Sequence, residues 1–296
     1  MSGSLFALFG AGCFGLSAIF TRRGVVRSSD SSAGVLISLF LAVPYFTLIL
    51  AGMGQTGEIG AFPLSGYIFL ASAGLVHFVV GRSLYYRAIQ AVGANMAQIL
   101  TSAGPLCSVA WGILLFHEPL TWELVSGSGL IISGVLFIVW GPLRAGNKIA
   151  ASPGEFIRGV LAGLGAGVLY GSSPVLVKWG LGAAGAPVAG TFISYVAATT
   201  VMSFTLLHRG QRDGLMGIDR TTLLWFSLSG TLVASAQLFR YMALSLSPMS
   251  VVGPLFSASR MLVIFFSFIF NRKLETFSPR VLLGAALVVS GTVILF

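Results

Sequence analysis

The sequence predicts an all-α integral membrane protein: ten transmembrane helices arranged as two inverted five-helix repeats. Three observations carry this expectation. Hydrophobic residues make up 56% of the 296-residue chain and charged residues 8%, against roughly 25% charged in soluble domains. Apolar runs of membrane-crossing length recur along the whole chain. The third observation is a duplication. Glu118-Pro119-Leu120-Thr121, followed by Gly127 and Ser133-Gly134, returns 157 residues later as Glu275-Thr276-Phe277-Ser278, followed by Gly284 and Ser290-Gly291.

The duplication runs almost end to end. Gly10-Ala11-Gly12 returns as Gly165-Ala166-Gly167, and Arg22 with Gly24 as Lys178 with Gly180. Ala33-Gly34 with Ile37-Ser38 returns as Ala189-Gly190 with Ile193-Ser194, and Tyr86 with Ala88 as Tyr241 with Ala243. The offset stays between 155 and 157, so small insertions account for all of the drift. A period of this length sets the architecture before any local reading.

About 17–25 apolar residues cross the hydrocarbon core as a helix. On that scale the first unit, 1–141, holds spans 4–21, 34–52, 65–87, 96–116 and 123–141. Residues 1–20 have the look of a cleavable leader, but their repeat partner, 162–180, lies deep inside the chain, so 4–21 is expected to be a retained helix. The stretch 142–155, with Arg144, Gly146, Lys148 and Pro153, reads as the linker between halves. The second unit, 156–296, holds spans 157–178, 188–207, 222–244, 250–270 and 279–296. Five is an odd number, so the two units enter the membrane in opposite senses, an inverted repeat of the kind found in secondary transporters.

Glu118 with Thr121 and Glu275 with Ser278 stand where spans five and ten begin. A hydroxyl there can cap free backbone N–H groups and an acid favours the positive helix end, so all four are expected to be structural. Pro105, Pro174 and Pro254, inside spans, mark kinks that free backbone groups to line a cavity. Gly10 to Gly15 matches G-x-G-x-x-G literally, but it lies inside a span with no strand before it and is rejected as a dinucleotide motif.

The net charge of +9 belongs to loops beside lipid headgroups, not to nucleic-acid binding. Arg22, Arg23, Arg27, Arg144, Lys148, Arg158, Arg209, Arg212, Arg220, Arg272, Lys273 and Arg280 all fall on one side, and little beyond Lys178 on the other. By the positive-inside rule that side is cytoplasmic and both termini are outside. Cys13 and Cys107 lack metal-ligand or disulfide spacing. No cofactor, metal site or nucleic-acid partner is expected; the partners are the bilayer and a small-molecule substrate, with the chain a monomer or homodimer.

All eight acids fall in loops or at span ends, whereas Arg260, Arg82 and Arg240 lie within spans. A charge near the bilayer centre costs at least about 2.5–3.5 kcal/mol and usually faces a cavity or a partner. Arg260 and Arg82 are therefore candidates to hold a carboxylate or phosphate, the alternative for Arg82 and Arg240 being snorkelling or bonding to carbonyls at a helix end. His77, mid-span with Gly81 and Tyr85 at helical spacing, could couple transport to protons or serve as a neutral hydrogen-bonding residue. Tyr86, Gln98, Tyr170, Gln237 and Tyr241 complete the candidate substrate-binding set. Asn95, Ser102, Ser173 and Ser257 are further intramembrane polar groups that line a cavity or bond across helices.

The paired motifs Glu118-x-Leu120-Thr121 and Glu275-x-Phe277-Ser278 opening spans five and ten carry a family resemblance. So do Arg82…Tyr86-x-Ala88, Tyr241-x-Ala243 and Gly93-Ala94. With the duplicated five-span units, the chain resembles the drug/metabolite transporter superfamily, specifically its EamA-type ten-helix members. The resemblance covers essentially the whole chain. It implies a multi-pass protein of the bacterial inner membrane with both termini cytoplasmic, opposite to the charge count. Small multidrug pumps of that superfamily use a buried carboxylate that has no counterpart here, so a cation pump is not expected. Nor is an enzyme, since no nucleophile–base or metal cluster forms. The expected function is a secondary transporter moving a small anionic or zwitterionic metabolite by alternating access; the alternative is a flippase for a lipid-linked polar substrate.

Overall fold

A computed structural model describes residues 2–28, 31–116, 122–145, 152–182, 184–247, 252, 255–256, 258–275 and 277–294. Within them the chain is all-helical. The first half contains α1 (Ser2–Arg27), α2 (Ser31–Gly52), α3 (Leu64–Val92), α4 (Ala94–Leu100), α5 (Ala103–Phe116) and α6 (Trp122–Ala145). The second contains α7 (Pro153–Leu181), α8 (Pro187–Ser203), the short α9 (Arg209–Met216), α10 (Arg220–Leu246), α11 (Ser259–Phe270) and α12 (Pro279–Ile294). Six of these, α1, α2, α3, α7, α8 with its 3₁₀ extension, and α10, are long and apolar enough to cross a membrane. Apolar segments within or coincident with α6, α11 and α12 are shorter. Helices are the form such runs must take, because each satisfies its backbone polar groups internally.

The helix starts follow local chemistry. Ser152 accepts the Glu155 N–H with Pro153 in the first turn of α7, and Asp219 accepts the Thr221 N–H at the start of α10. Asp219 lies at an exposed loop end, and its carboxyl is held below its ordinary value, chiefly by a hydrogen bond from Thr222 and then by Arg27.

Four boundaries differ from the sequence reading. The fourth span is broken at Thr101–Ser102. Pro105 has no N–H to offer the Thr101 carbonyl, which bonds the Gly104 N–H at 2.9 Å instead. Gly93, at φ 87°, forms a one-residue reversal between α3 and α4, a conformation that favours glycine. Helix runs into both ends of the expected linker, with α6 ending at Ala145 and α7 beginning at Pro153. Arg22 is not a loop charge: α1 continues to Arg27, which carries Arg22 inside. Glu118, Thr121, Pro254 and Ser257 lie outside the described residues.

The packing exchanges the halves. The first span lies along α10 and the sixth, α7, along α3; α2 packs on α8, and α6 on α12. The glycines of the duplicated motif make the last seam. A Cβ on Gly134 would lie 2.7 Å from the Gly284 carbonyl, and one on Gly291 would lie 2.5 Å from that of Gly127. Gly127 thus meets Gly291 while Gly134 meets Gly284, so α6 and α12, equivalent in the repeat, run antiparallel. The buried centre is aromatic as well as aliphatic, with Phe46, Phe78, Tyr86, Tyr195 and Phe226 essentially inaccessible.

Candidate functional site

Between the halves lies a small cavity with room for about one water molecule. Phe14, Ser17 and Thr21 of α1 line it, as do His77, Arg82, Tyr85 and Tyr86 of α3. Tyr170 of α7 and Val233 and Gln237 of α10 close it from the second half.

A π-helical stretch, Leu75–Gly81, widens α3 where His77 sits. In a regular α-helix residues five apart point about 140° apart. The wider winding brings His77 and Arg82 to one wall, a use of π-turns common at functional sites. Two glycines make room for it. A Cβ on Gly74 would lie 2.1 Å from the Ser194 carbonyl, and one on Gly81 would lie 2.9 Å from the Tyr170 ring.

His77 is held on three sides. Its Nδ1 is 2.6 Å from Ser173 Oγ, its Nε2 is 3.1 Å from Gln237 Nε2, and its ring stacks on Tyr170 at 4.3 Å. The Gln237 amide donates to Nε2, so the ring donates from Nδ1 to Ser173, which in turn donates to the Tyr170 carbonyl at 3.4 Å. That carbonyl is free because Pro174, four residues on, has no N–H to give it. Arg240 Nη2 also donates to it, at 3.4 Å, and the Arg240 guanidinium lies over the Phe256 ring.

Arg82, 2% exposed, donates from Nη1 to Ser38 Oγ at 3.0 Å and from Nη2 to Tyr195 OH at 2.9 Å. Its guanidinium lies over the Phe78 and Tyr195 rings at 5.0 and 5.5 Å. Both hydrogen-bond partners are neutral, and no carboxylate lines the cavity among the described residues.

Five of the eight residues expected at a binding site, His77, Arg82, Tyr86, Tyr170 and Gln237, thus share one cavity. Gln98 stands one layer behind it, accepting from Tyr85 OH at 2.7 Å and donating to Ser259 Oγ at 3.2 Å. Tyr241 and Arg260 do not line it. Tyr241 OH donates to Ser194 Oγ at 3.1 Å, and Ser194 also bonds the Leu70 carbonyl. Arg260, 7% exposed, follows Ser259 on α11, and its Nε and Nη1 have no hydrogen-bond partner among the described residues. Ser17, Thr21 and Tyr85 were missed as site residues. Ser17 and Thr21 are four apart on α1, a spacing that puts both on one helix face.

At the end of the molecule where α1 and α3 finish, a second polar cluster joins the halves. The Glu275 carboxylate accepts the Ala94 and Asn95 N–H groups at 2.9 and 3.1 Å and meets Arg22 Nε at 3.1 Å. Glu275 therefore sits on the start of α4, not on its own helix; Ser278 Oγ accepts the Val281 N–H at the start of α12. Burial raises the Glu275 carboxyl above its ordinary value, and Arg22 with the two amides offsets part of that. Arg22 also donates to the carbonyls of Ile89, Gln90 and Leu274.

The profile of the EamA-like transporter family matches residues 1–140 and again 157–296. The chain belongs to this family. It is a family of multi-pass membrane transporters, not of enzymes, and the chain carries two copies of its domain. An uncharacterised transporter of Bacillus subtilis (strain 168), YcbK, is 31% identical over 111 residues, 36% of this chain and 34% of that protein. The match thus spans about a third of the relative's length. A solved crystal structure superposes with a TM-score of 0.66 at 13% identity, covering 99% of this chain and 97% of that one. That likeness extends the shared fold over the whole length of this family member.

Proposed function

We propose that the protein is a secondary transporter that moves a small anionic or zwitterionic metabolite across the bacterial inner membrane by alternating access. In this reading the chain makes ten spans in two inverted units, 1–141 and 156–296, joined by 142–155. The antiparallel α6–α12 seam supports the inversion. The observation that carries the substrate class is Arg82: a buried cation on the cavity wall whose hydrogen bonds go to Ser38 and Tyr195, both neutral. A permanent charge at that depth is costly, and a negative group on the substrate offsets the cost. Arg also suits two-point contact with a carboxylate or phosphate. Arg260, off the cavity wall here with Nε and Nη1 unpartnered among the described residues, is the second cation such a substrate would meet once the site opens. Tyr86, Tyr170, Gln237 and Gln98 shape the site, and Tyr241 supports it from behind. His77 is the cavity-lining side chain whose ordinary pKa lies nearest neutrality, which makes it the candidate for proton coupling. With room for about one water molecule, the cavity is far smaller than a small-molecule site, as expected of a closed-down state.

The test is a panel of amino acids, organic acids, phosphorylated metabolites and organic cations, scored by thermal shift and by counterflow in reconstituted vesicles. Anions or zwitterions should stabilise and exchange; Arg82→Lys should weaken binding and Arg82→Gln reduce it at least tenfold. Exchange of cations alone, or full exchange by Arg82→Gln at equal protein level, removes the reason for an anionic substrate.

A further inference from the structure

The Arg22–Glu275 cluster is the one buried ion pair among the described residues, with side chains 5% and 1% exposed; the other pair, Arg27–Asp219, is half exposed. It joins the first repeat to the second. Arg22 ties the end of α1 to the last carbonyls of α3 and to Leu274, while Glu275 holds the first two amides of α4. Next to it Arg23 donates to Asn271 Oδ1 and the Phe270 carbonyl, and Asn271 Nδ2 donates to the Ile19 carbonyl. Four chain segments, the ends of α1 and α3, the start of α4 and the stretch 270–275, are therefore fastened to one another.

The duplicated position behaves differently. Lys178, the repeat partner of Arg22, is exposed, near the far end of α7. One member of the pair is locked inside while the other faces outward; Glu118, the repeat partner of Glu275, lies outside the described residues. The fastening also reaches the cavity. Glu275 fixes the first turn of α4, four residues further on Gln98 holds Tyr85 OH, and Tyr85 is part of the cavity wall.

We propose that Arg22 and Glu275 form the gate that closes the arginine-rich end, and that they act as positioning residues for the cavity through α4, Gln98 and Tyr85. The inference rests on the alternating-access reading given above. Removing the Glu275 charge leaves Arg22 buried without its counter-ion, a cost met by letting the end open to water. The end-closed population falls and the Tyr85 wall loosens with it.

Sided labelling tests the gate without needing a substrate. In a background with Cys13 and Cys107 replaced by Ala, Ser17→Cys places a thiol on the cavity wall. A membrane-impermeant maleimide is then applied from either face of vesicles of known orientation. The readout is the ratio of labelling rates from the two faces. Glu275→Gln should shift that ratio at least about tenfold toward the arginine-rich face, and Arg22→Lys, which keeps the charge but not the fork of carbonyl contacts, should shift it the same way by less. Arg22→Lys also decides the matter should Glu275→Gln not fold. An unchanged ratio in folded variants overturns the gate, even where wild-type transport is intact. Absent transport with a shifted ratio instead overturns the transporter reading and leaves the gate standing.

Discussion

Stability gives a measure of the Arg22–Glu275 pair that is independent of transport. With side chains 5% and 1% exposed, solvent screens the pair little. Removing one partner of a buried pair costs about 3–5 kcal/mol, because the other charge stays behind uncompensated. Glu275→Gln keeps the shape and one acceptor for the α4 amides, so the lower end, about 3 kcal/mol, is the expected loss. At roughly 2–4 °C per kcal/mol for a chain approaching this size, Tm should fall by roughly 6–12 °C. The assay is thermal unfolding of detergent-purified protein, followed by size-exclusion fluorescence. Arg22→Met should cost about as much. The double variant, which removes both charges, should lose less than the sum of the singles by about 2 kcal/mol, since they touch. A fall below about 2 °C in Glu275→Gln, or strict additivity of the two, would refute the claim that the pair holds the halves together.

Three further outcomes are expected. Gly171→Ala places a Cβ 2.2 Å from the Gly104 carbonyl and should cut folded yield sharply, whereas Gly12→Ala, with open space around it, should not; equal yields in size-exclusion profiles sink the packing account. Arg240→Met strips a donor from the Tyr170 carbonyl and should cost about 1–3 kcal/mol, less in a Pro174→Ala background that restores the backbone N–H; the melting temperatures of the four proteins decide. A reporter fused after Phe296 that works only outside the cytoplasm supports the loop-charge orientation, and a cytoplasmic signal supports the arrangement usual in the family.

Much of this fold is legible in the sequence because bilayer length and apolar composition are strong constraints. The six long helices and the duplicated glycines stand out on those grounds alone. Other features are set by contacts far apart in the chain. Arg82 finds Tyr195 113 positions away, and Glu275 finds α4 about 180 positions away; no spacing rule encodes either. The break at Thr101–Ser102 needed the Pro105 N–H deficit to be combined with the glycine before it. Ser17 and Thr21 escaped notice because single small hydroxyls in an apolar helix more often bond their own backbone, as Ser17 does with Phe14. Arg260 stood out by depth, but depth does not say which helix face meets a cavity, and α11 turns Ser259 toward Gln98 instead.

The duplicated residues divide into two classes with different mechanical meaning. The α6–α12 glycines meet in two pairs, Gly127 with Gly291 and Gly134 with Gly284, and the repeat maps each pair onto the other. In an inverted repeat, exchanging the conformations of the halves converts one end-closed state into the other, and a seam of this kind is unchanged by that exchange. Arg22 and Lys178, one buried and one exposed, are not equivalent, so their surroundings must change. The prediction is a fixed α6–α12 pair and a moving group made of α1, the end of α3, α4 and the α11–α12 connection. Hydrogen exchange read by mass spectrometry separates them. Peptides from 124–136 and 281–292 should exchange equally with and without a transported ligand, while those covering 87–98 and 270–275 should change. Ligand-dependent exchange in α6 and α12, with none at 87–98, would reverse the assignment of scaffold and moving part.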